Sequence, residues 1–275
     1  MNKRWLKNKT VVISGASGGL GFAIAKLLIE KYDCSVIGIA RNEKKIIAAK
    51  ESLGEKKNKF SYHLFDVSIK ENWVNFHQYL INNSIKIDVL INNAGFMLPF
   101  KKFEKYSDDE IDEIIKTDFY SVVTATKTLL PTLKTSNTPA IINVSSAAGL
   151  CAVAGESLYC STKFAVRGFT ECLQQDYRKL IYVGGVYPGF IKTDILSRQI
   201  KDAKNHKLIG KFMMTLDKYA KTIVKGIAKR KKRIIFGYQA RFMNFFGRIF
   251  PKLTPTLITK FFKESGVELF NELFE

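Results

Sequence analysis

Along the first 190 residues, apolar positions fall into two alternating patterns. Short β-branched runs occur at 10–14 (TVVIS), 35–39 (SVIGI), 60–65 (FSYHLF), 87–91 (IDVLI), 140–144 (AIINV) and 181–186 (IYVGGV). Longer stretches with helical spacing lie between them, as at 20–31 and 158–178. Strands separated by helices predict a doubly wound α/β fold, a parallel sheet with helices on both faces. Runs such as VVIS and IINVSS lack polar alternation, as expected of strands buried on both sides. After Thr193 the strand signals thin to RIIFG at 233–237. Phe242, Phe245, Phe246 and Ile249 then recur at helical spacing, as do Leu253, Leu257, Phe261 and Phe262, with Pro251 and Pro255 as punctuation. No repeat or low-complexity linker divides the chain. The pattern therefore predicts one domain over 1–275, with a helical basic extension over 238–275.

Composition changes this picture only in part. Apolar residues make up 46% of the 275, enough for a substantial core. No run approaches the roughly 18 apolar residues of a spanning helix. The basic start MNKRWLKNKT lacks the apolar region and cleavage site of a signal peptide, so a cytoplasmic location is expected. Cys34, Cys151, Cys160 and Cys172 form no CxxC pair and join no histidine cluster. Free thiols and no metal site are the expectation.

Charge is uneven. Between Lys201 and Lys263 stand 17 basic residues against two acids, Asp202 and Asp217. Such a segment attracts anions: phosphates, acidic head groups or nucleic acid. No nucleic-acid-binding module is recognisable, so nucleic acid is not an expected partner.

The chemistry begins at Ser14-Gly15-Ala16-Ser17-Gly18-Gly19-Leu20-Gly21, between the first strand and the first helix. Glycines allow a tight turn and close backbone approach, and the helix start offers free N–H groups to a pyrophosphate. A glycine-rich turn without a ligand is the alternative. The spacing Gly-x-x-x-Gly-x-Gly resembles that of the short-chain dehydrogenase/reductase family. Asn92-Asn93-Ala94-Gly95, Ser146, Tyr159-x-x-x-Lys163 and Pro188-Gly189 with Thr193 match further motifs of that family, in order, over about residues 8–195.

The resemblance implies a Rossmann-type domain and a nicotinamide dinucleotide. An acid ending the second strand holds the adenosine ribose in such folds. Here Ala40 stands there and Arg41 follows, which suits a 2′-phosphate and favours NADP(H), with Ser17 as a further contact. The family pattern implies adenine contacts from Asp66 and Val67. It implies ribose and nicotinamide contacts from Asn92, Ala94 and Gly95, and a carboxamide contact from Thr193. Gly15, Gly19, Leu20, Gly21, Pro188 and Gly189 complete the expected cofactor set.

Hydride transfer to a carbonyl requires a proton donor beside its oxygen. Tyr159 fills that role by resemblance, and Lys163, one helical turn on, is expected to lower the phenol's pKa. Ser146 is expected to polarise the carbonyl, with Ser145 the neighbouring candidate. The family usually carries Asn where this chain has Asp118, in the relay to the lysine. Asp keeps the size, adds a charge and removes an amide donor. Cys160 is expected to be helix packing.

By the same resemblance, residues 194–215 form a substrate lid. Its candidate apolar lining is Ile195, Leu196, Ile200, Leu208, Phe212, Met213 and Met214. Leu150, Val153, Leu158, Phe96, Met97 and Leu98 lie near the catalytic loops. The expected substrate is a small lipophilic ketone, aldehyde or alcohol. The family's members are often dimers or tetramers, so a homodimer or homotetramer is expected. The C-terminal extension either packs on the body or rests on an anionic membrane surface. A non-catalytic NADP(H)-binding protein is the other reading, and Asp118 is the feature that favours it.

Overall fold

The computed structural model describes residues 3–189, 214–265 and 270–274. Seven parallel strands form one sheet: β1 (Thr10–Ser14), β2 (Ser35–Ala40), β3 (Phe60–Leu64), β4 (Val89–Asn92), β5 (Ala140–Val144), β6 (Tyr182–Pro188) and β7 (Arg233–Phe236). Their order is β3-β2-β1-β4-β5-β6-β7, and every neighbouring pair is parallel. The order reverses between β1 and β4, and at that point a doubly wound sheet opens a crevice beyond its carboxyl ends.

The apolar runs have a direct cause. Alternate side chains of one strand serve different cores. Val11 and Ile13 face one layer with Ile24 and Leu28 of α1 (Gly19–Tyr32). Val12 faces the other, with Trp73, Phe76 and Leu80 of α3 (Lys70–Asn82). Helix α2 (Glu43–Glu51) follows β2 and is capped by the Asn42 side chain, which accepts from the Lys45 amide.

After β4, helix α4 (Asp108–Ile115) starts in a capping box between Ser107 and Glu110. It passes through a π-helical turn at Lys116–Tyr120 into α5 (Ser121–Leu133). Helix α6 (Ser157–Asp176) follows β5, and α7 (Leu216–Ala228) packs with α1 on the first layer.

The C-terminal segment forms α8 (Tyr238–Ile249), α9 (Leu253–Glu264) and the short α10 (Asn271–Phe274). It docks on the body through Ala240, Met243, Phe262 and Phe270, which pack with Phe100 and Ala147. Its apolar stripes behave differently from simple packing. Phe245, Ile249, Leu253, Leu257 and Phe261 are each half or more exposed, and Phe242 and Phe246 are partly so. Of the eight apolar positions singled out by spacing, Phe262 alone is buried. Among the described residues no helix is long and apolar enough to cross a membrane.

Candidate active site

The crevice at the switch point is a cleft of about 640 Å³. Its floor is the glycine turn. Gly15 and Gly19 have positive φ, +69° and +53°, where an L side chain is strained. A Cβ at Gly21 would overlap the Gly15 carbonyl oxygen, so the turn closes only on glycine. The α1 N-terminus carries no side-chain cap, which leaves its amides for a ligand. Ser14 Oγ accepts from the amides of Asn93 (2.9 Å) and Ala94 (3.0 Å), locking the loop after β4 against β1.

Ser17, Leu20, Arg41, Asp66, Val67, Ala94, Gly95, Pro188 and Gly189 border this cleft together with the turn glycines. Asn92 does not. It is buried, and its side-chain amide donates to Asn143 (2.8 Å) and Thr126 (3.1 Å), stitching the sheet to α5. Asn93 lines the cleft instead. Thr193 and the expected lid lie outside the described residues, except Met214 and Thr215. Arg41 reaches Asp66 at 3.5 Å; the arginine side chain is well exposed and the carboxylate is partly so. Such a surface pair is weak and easily redirected. Lys45 and Asn42 border the same end of the cleft. The sequence reading missed Lys45, whose signal is its place in the first turn after a capping Asn.

At the other end stand Tyr159, Lys163 and Ser146, all on the cleft wall. Ser146 stands beside Tyr159 and opposes the rise of its phenol pKa, and its hydroxyl accepts from the Ala148 amide at 3.2 Å. Ser145 is occupied elsewhere: it is buried, and its hydroxyl donates to the Lys163 carbonyl at 2.8 Å. That bond pins α6 to the end of β5.

Asp118 sits behind this wall, fully buried, on the π-helical turn that swings it inward. Its Oδ2 lies 2.9 Å from Lys163 Nζ, and its Oδ1 accepts from the Phe96 amide at 2.9 Å. Burial pushes the Asp118 carboxyl up, and Lys163 and the Phe96 amide oppose that. The expected lowering of the Tyr159 pKa is not found. The phenol is raised, first by burial, then by the charges of Asp118 and Glu156, with Ser146 opposing. The Lys163 charge is directed to Asp118, and its ammonium lies 5.3 Å from the Tyr159 ring centroid.

Cys160 is buried, its Sγ lies 3.9 Å from the Val153 carbonyl, and burial pushes its thiol up to about 12. That is an inert thiol in a helix core. Of the apolar candidates, Val153, Phe96 and Met97 border the cleft with Met243 of α8. Glu156 also borders it, buried, and was not singled out from the sequence. Its signal is an isolated acid one helical turn before Tyr159.

The family model described as short chain dehydrogenase matches residues 9–204. The chain belongs to the short chain dehydrogenase family. It is therefore an oxidoreductase of the class acting on CH–OH groups. A Mycobacterium tuberculosis protein carrying the name oxidoreductase SadH is 32% identical over 276 residues, covering 93% of this chain and 97% of that one. The 3-oxoacyl-[acyl-carrier-protein] reductase FabG of Vibrio harveyi is 34% identical over 69% of this chain and 76% of its own. Two solved structures share the fold. One is a Thermococcus sibiricus alcohol dehydrogenase complexed with 5-hydroxy-NADP (TM-score 0.71, 24% identity, covering 82% of this chain and 93% of that one). The other is a Burkholderia phymatum short chain dehydrogenase/reductase with NAD (0.74, 19%, 83% and 89%).

Proposed function

We propose that this oxidoreductase is NADP(H)-dependent and interconverts a lipophilic ketone or aldehyde with its alcohol. One observation carries the reading: Tyr159, with Ser146 and Lys163 beside it, stands on the wall of the cleft whose floor is the glycine turn. The uncapped α1 N-terminus fits a pyrophosphate, and Gly95 lies close against Lys163 and Asp118, where a side chain would crowd the expected nicotinamide ribose. A nicotinamide dinucleotide bound there supplies or accepts the hydride. Tyr159 holds the proton that the substrate oxygen takes up, and its raised pKa keeps the phenol protonated at neutral pH, the form needed for reduction. Ser146 donates to the same oxygen and polarises the carbonyl. Lys163, braced by Asp118 at 2.9 Å, would hold the ribose of a bound dinucleotide on the same wall as Tyr159.

The fold accommodates either dinucleotide, as the two solved relatives illustrate. The choice rests on Ala40, which leaves no acid to repel a 2′-phosphate, and on Arg41, Lys45 and Ser17 around it. The FabG relative acts, by its name, on a 3-oxoacyl chain, and that class belongs in the substrate panel. NADPH oxidation with lipophilic ketones tests the reading. Wild type is expected to turn over NADPH in preference to NADH. Tyr159→Phe is expected to lose at least about 100-fold in kcat while still binding NADPH. Undiminished turnover by that variant overturns the mechanism.

A second reading concerns location. The exposed phenylalanine stripes of α8 and α9, with Arg241, Arg248, Lys252, Lys260 and Lys263 among them, support a protein resting peripherally on an anionic membrane. Exposed Ile115, Tyr120 and Phe164, on the helical run through α4 and on α6, support a homodimer or homotetramer through those helices.

A further inference from the structure

Glu156 is a carboxylic acid with no visible structural task. It is 4% exposed, and its Oε1 has no hydrogen-bond partner among the described residues. It occupies the N-cap position of α6, yet its side chain makes no capping bond. The backbone there does its ordinary work: the Glu156 carbonyl accepts from the Cys160 amide at 2.8 Å. Burial alone drives its acidity down, and the ionisable groups it acts on are the neutral phenols of Tyr106 and Tyr159 and the thiol of Cys160. Buried polar groups are nearly always satisfied, and one that is not calls for an explanation.

The position supplies one. Glu156 borders the active-site cleft one helical turn before Tyr159, so the two side chains share a face of α6. Val153, whose carbonyl accepts from the Glu156 amide, is apolar, as are Met97 and Met243 elsewhere in the lining of the same cleft. We infer that Glu156 is the substrate-side anchor of the pocket, a buried carboxyl that hydrogen-bonds a second, neutral oxygen function of the substrate near the reacting carbonyl. The substrate class then narrows from a plain lipophilic ketone to an oxygenated one, such as a hydroxyketone or dicarbonyl. An acid pushed up to about 8 is mostly neutral at pH 7, and can donate to a carbonyl oxygen or accept from a hydroxyl. The chain's net charge of +19 disfavours a cationic substrate in its place.

This inference rests on the proposed ketone chemistry, so its test is made on binding rather than turnover. With NADP+ present, ketones bind and cannot be reduced. Calorimetry compares 4-methyl-2-nonanone with 4-hydroxy-4-methyl-2-nonanone, whose tertiary alcohol has no hydride for NADP+ to take, on wild type, Glu156→Gln and Glu156→Leu. Wild type is expected to bind the hydroxyketone about tenfold tighter, the scale of one buried hydrogen bond. Glu156→Gln, which keeps a donor and an acceptor, should retain most of that preference, and Glu156→Leu should erase it. Equal affinities in wild type, a preference that survives in Glu156→Leu, or binding of neither ketone overturns the inference. Turnover with NADPH, measured in parallel, separates the two claims. A hydroxyl preference without turnover removes the catalytic reading and leaves the anchor. Turnover without that preference removes the anchor alone.

Discussion

Two carboxyls and a phenol, at the cleft wall or just behind it, are all pushed up first by burial and differ in what opposes it. Asp118 is fully buried against Lys163, and removing one partner of such a pair strands the other. Asp118→Asn is therefore expected to lower stability by about 3 kcal/mol in denaturant titration. It should also move the pH profile. The Asp118 charge raises the Tyr159 phenol, so its removal should shift the rising, acidic limb of alcohol oxidation to lower pH. An unmoved profile would show the two groups uncoupled. Glu156 offers a separate test. Its folded-state carboxyl is raised from 4.5 to about 8. Between those values the unfolded chain releases a proton that the folded chain keeps, so wild-type stability declines as pH rises through that window. Glu156→Gln removes this dependence. Its melting temperature should exceed wild type at pH 8, with the gap closing toward pH 4.5.

Elements set what a single residue tolerates. Gly21 and Gly168 both sit in helices, and their surroundings give opposite expectations. A Cβ at Gly21 in α1 meets the Gly15 carbonyl, which is backbone and cannot swing away. Gly21→Ala should open the turn and weaken NADPH binding at least about tenfold by fluorescence titration, since the helix amides lose their aim. Gly168 in α6 is exposed, with nothing near a new Cβ. Gly168→Ala should stabilise the protein by about 0.5–1 kcal/mol through helix propensity and a less flexible unfolded chain. The π-helical turn is a third case: one residue more in the turn brings Asp118 to the wall rather than to solvent.

For the whole molecule, the decisive surface is the C-terminal one. Aromatic groups on α8 and α9 left in water, amid basic residues, favour an interface with lipid. Flotation with vesicles containing anionic lipid should carry the protein upward at low salt and less so at high salt. The double variant Phe245→Ser, Phe261→Ser should float about tenfold less while keeping its cleft intact, because neither side chain packs on the body. Equal flotation on neutral vesicles, or none at all, would assign the stripes to contacts between copies of the chain, which light scattering would reveal.

The strand segments of this sheet and their burial on both faces were legible in the chain because period and composition are local: VVIS and IINV lie flat between two apolar layers, and nothing distant is needed to read them, whereas the order β3-β2-β1-β4-β5-β6-β7 is set by pairing between distant segments. The glycine turn and the Tyr159, Lys163 pair were legible for the same reason, being short spacings on one turn or one helix face. Other features depend on groups far apart in the chain. Asn92 looked like a cleft residue, but Asn143, 51 positions away, draws its amide into the sheet. Lys163 was expected to act on Tyr159, yet the buried Asp118 of another helix takes its charge. Glu156 read as one acid among many until burial left it without a partner beside the reacting end of the cleft. Local pattern determines which segments become strands, helices and turns. Desolvation and charge pairing depend on distance in space, and only the packed fold sets that distance.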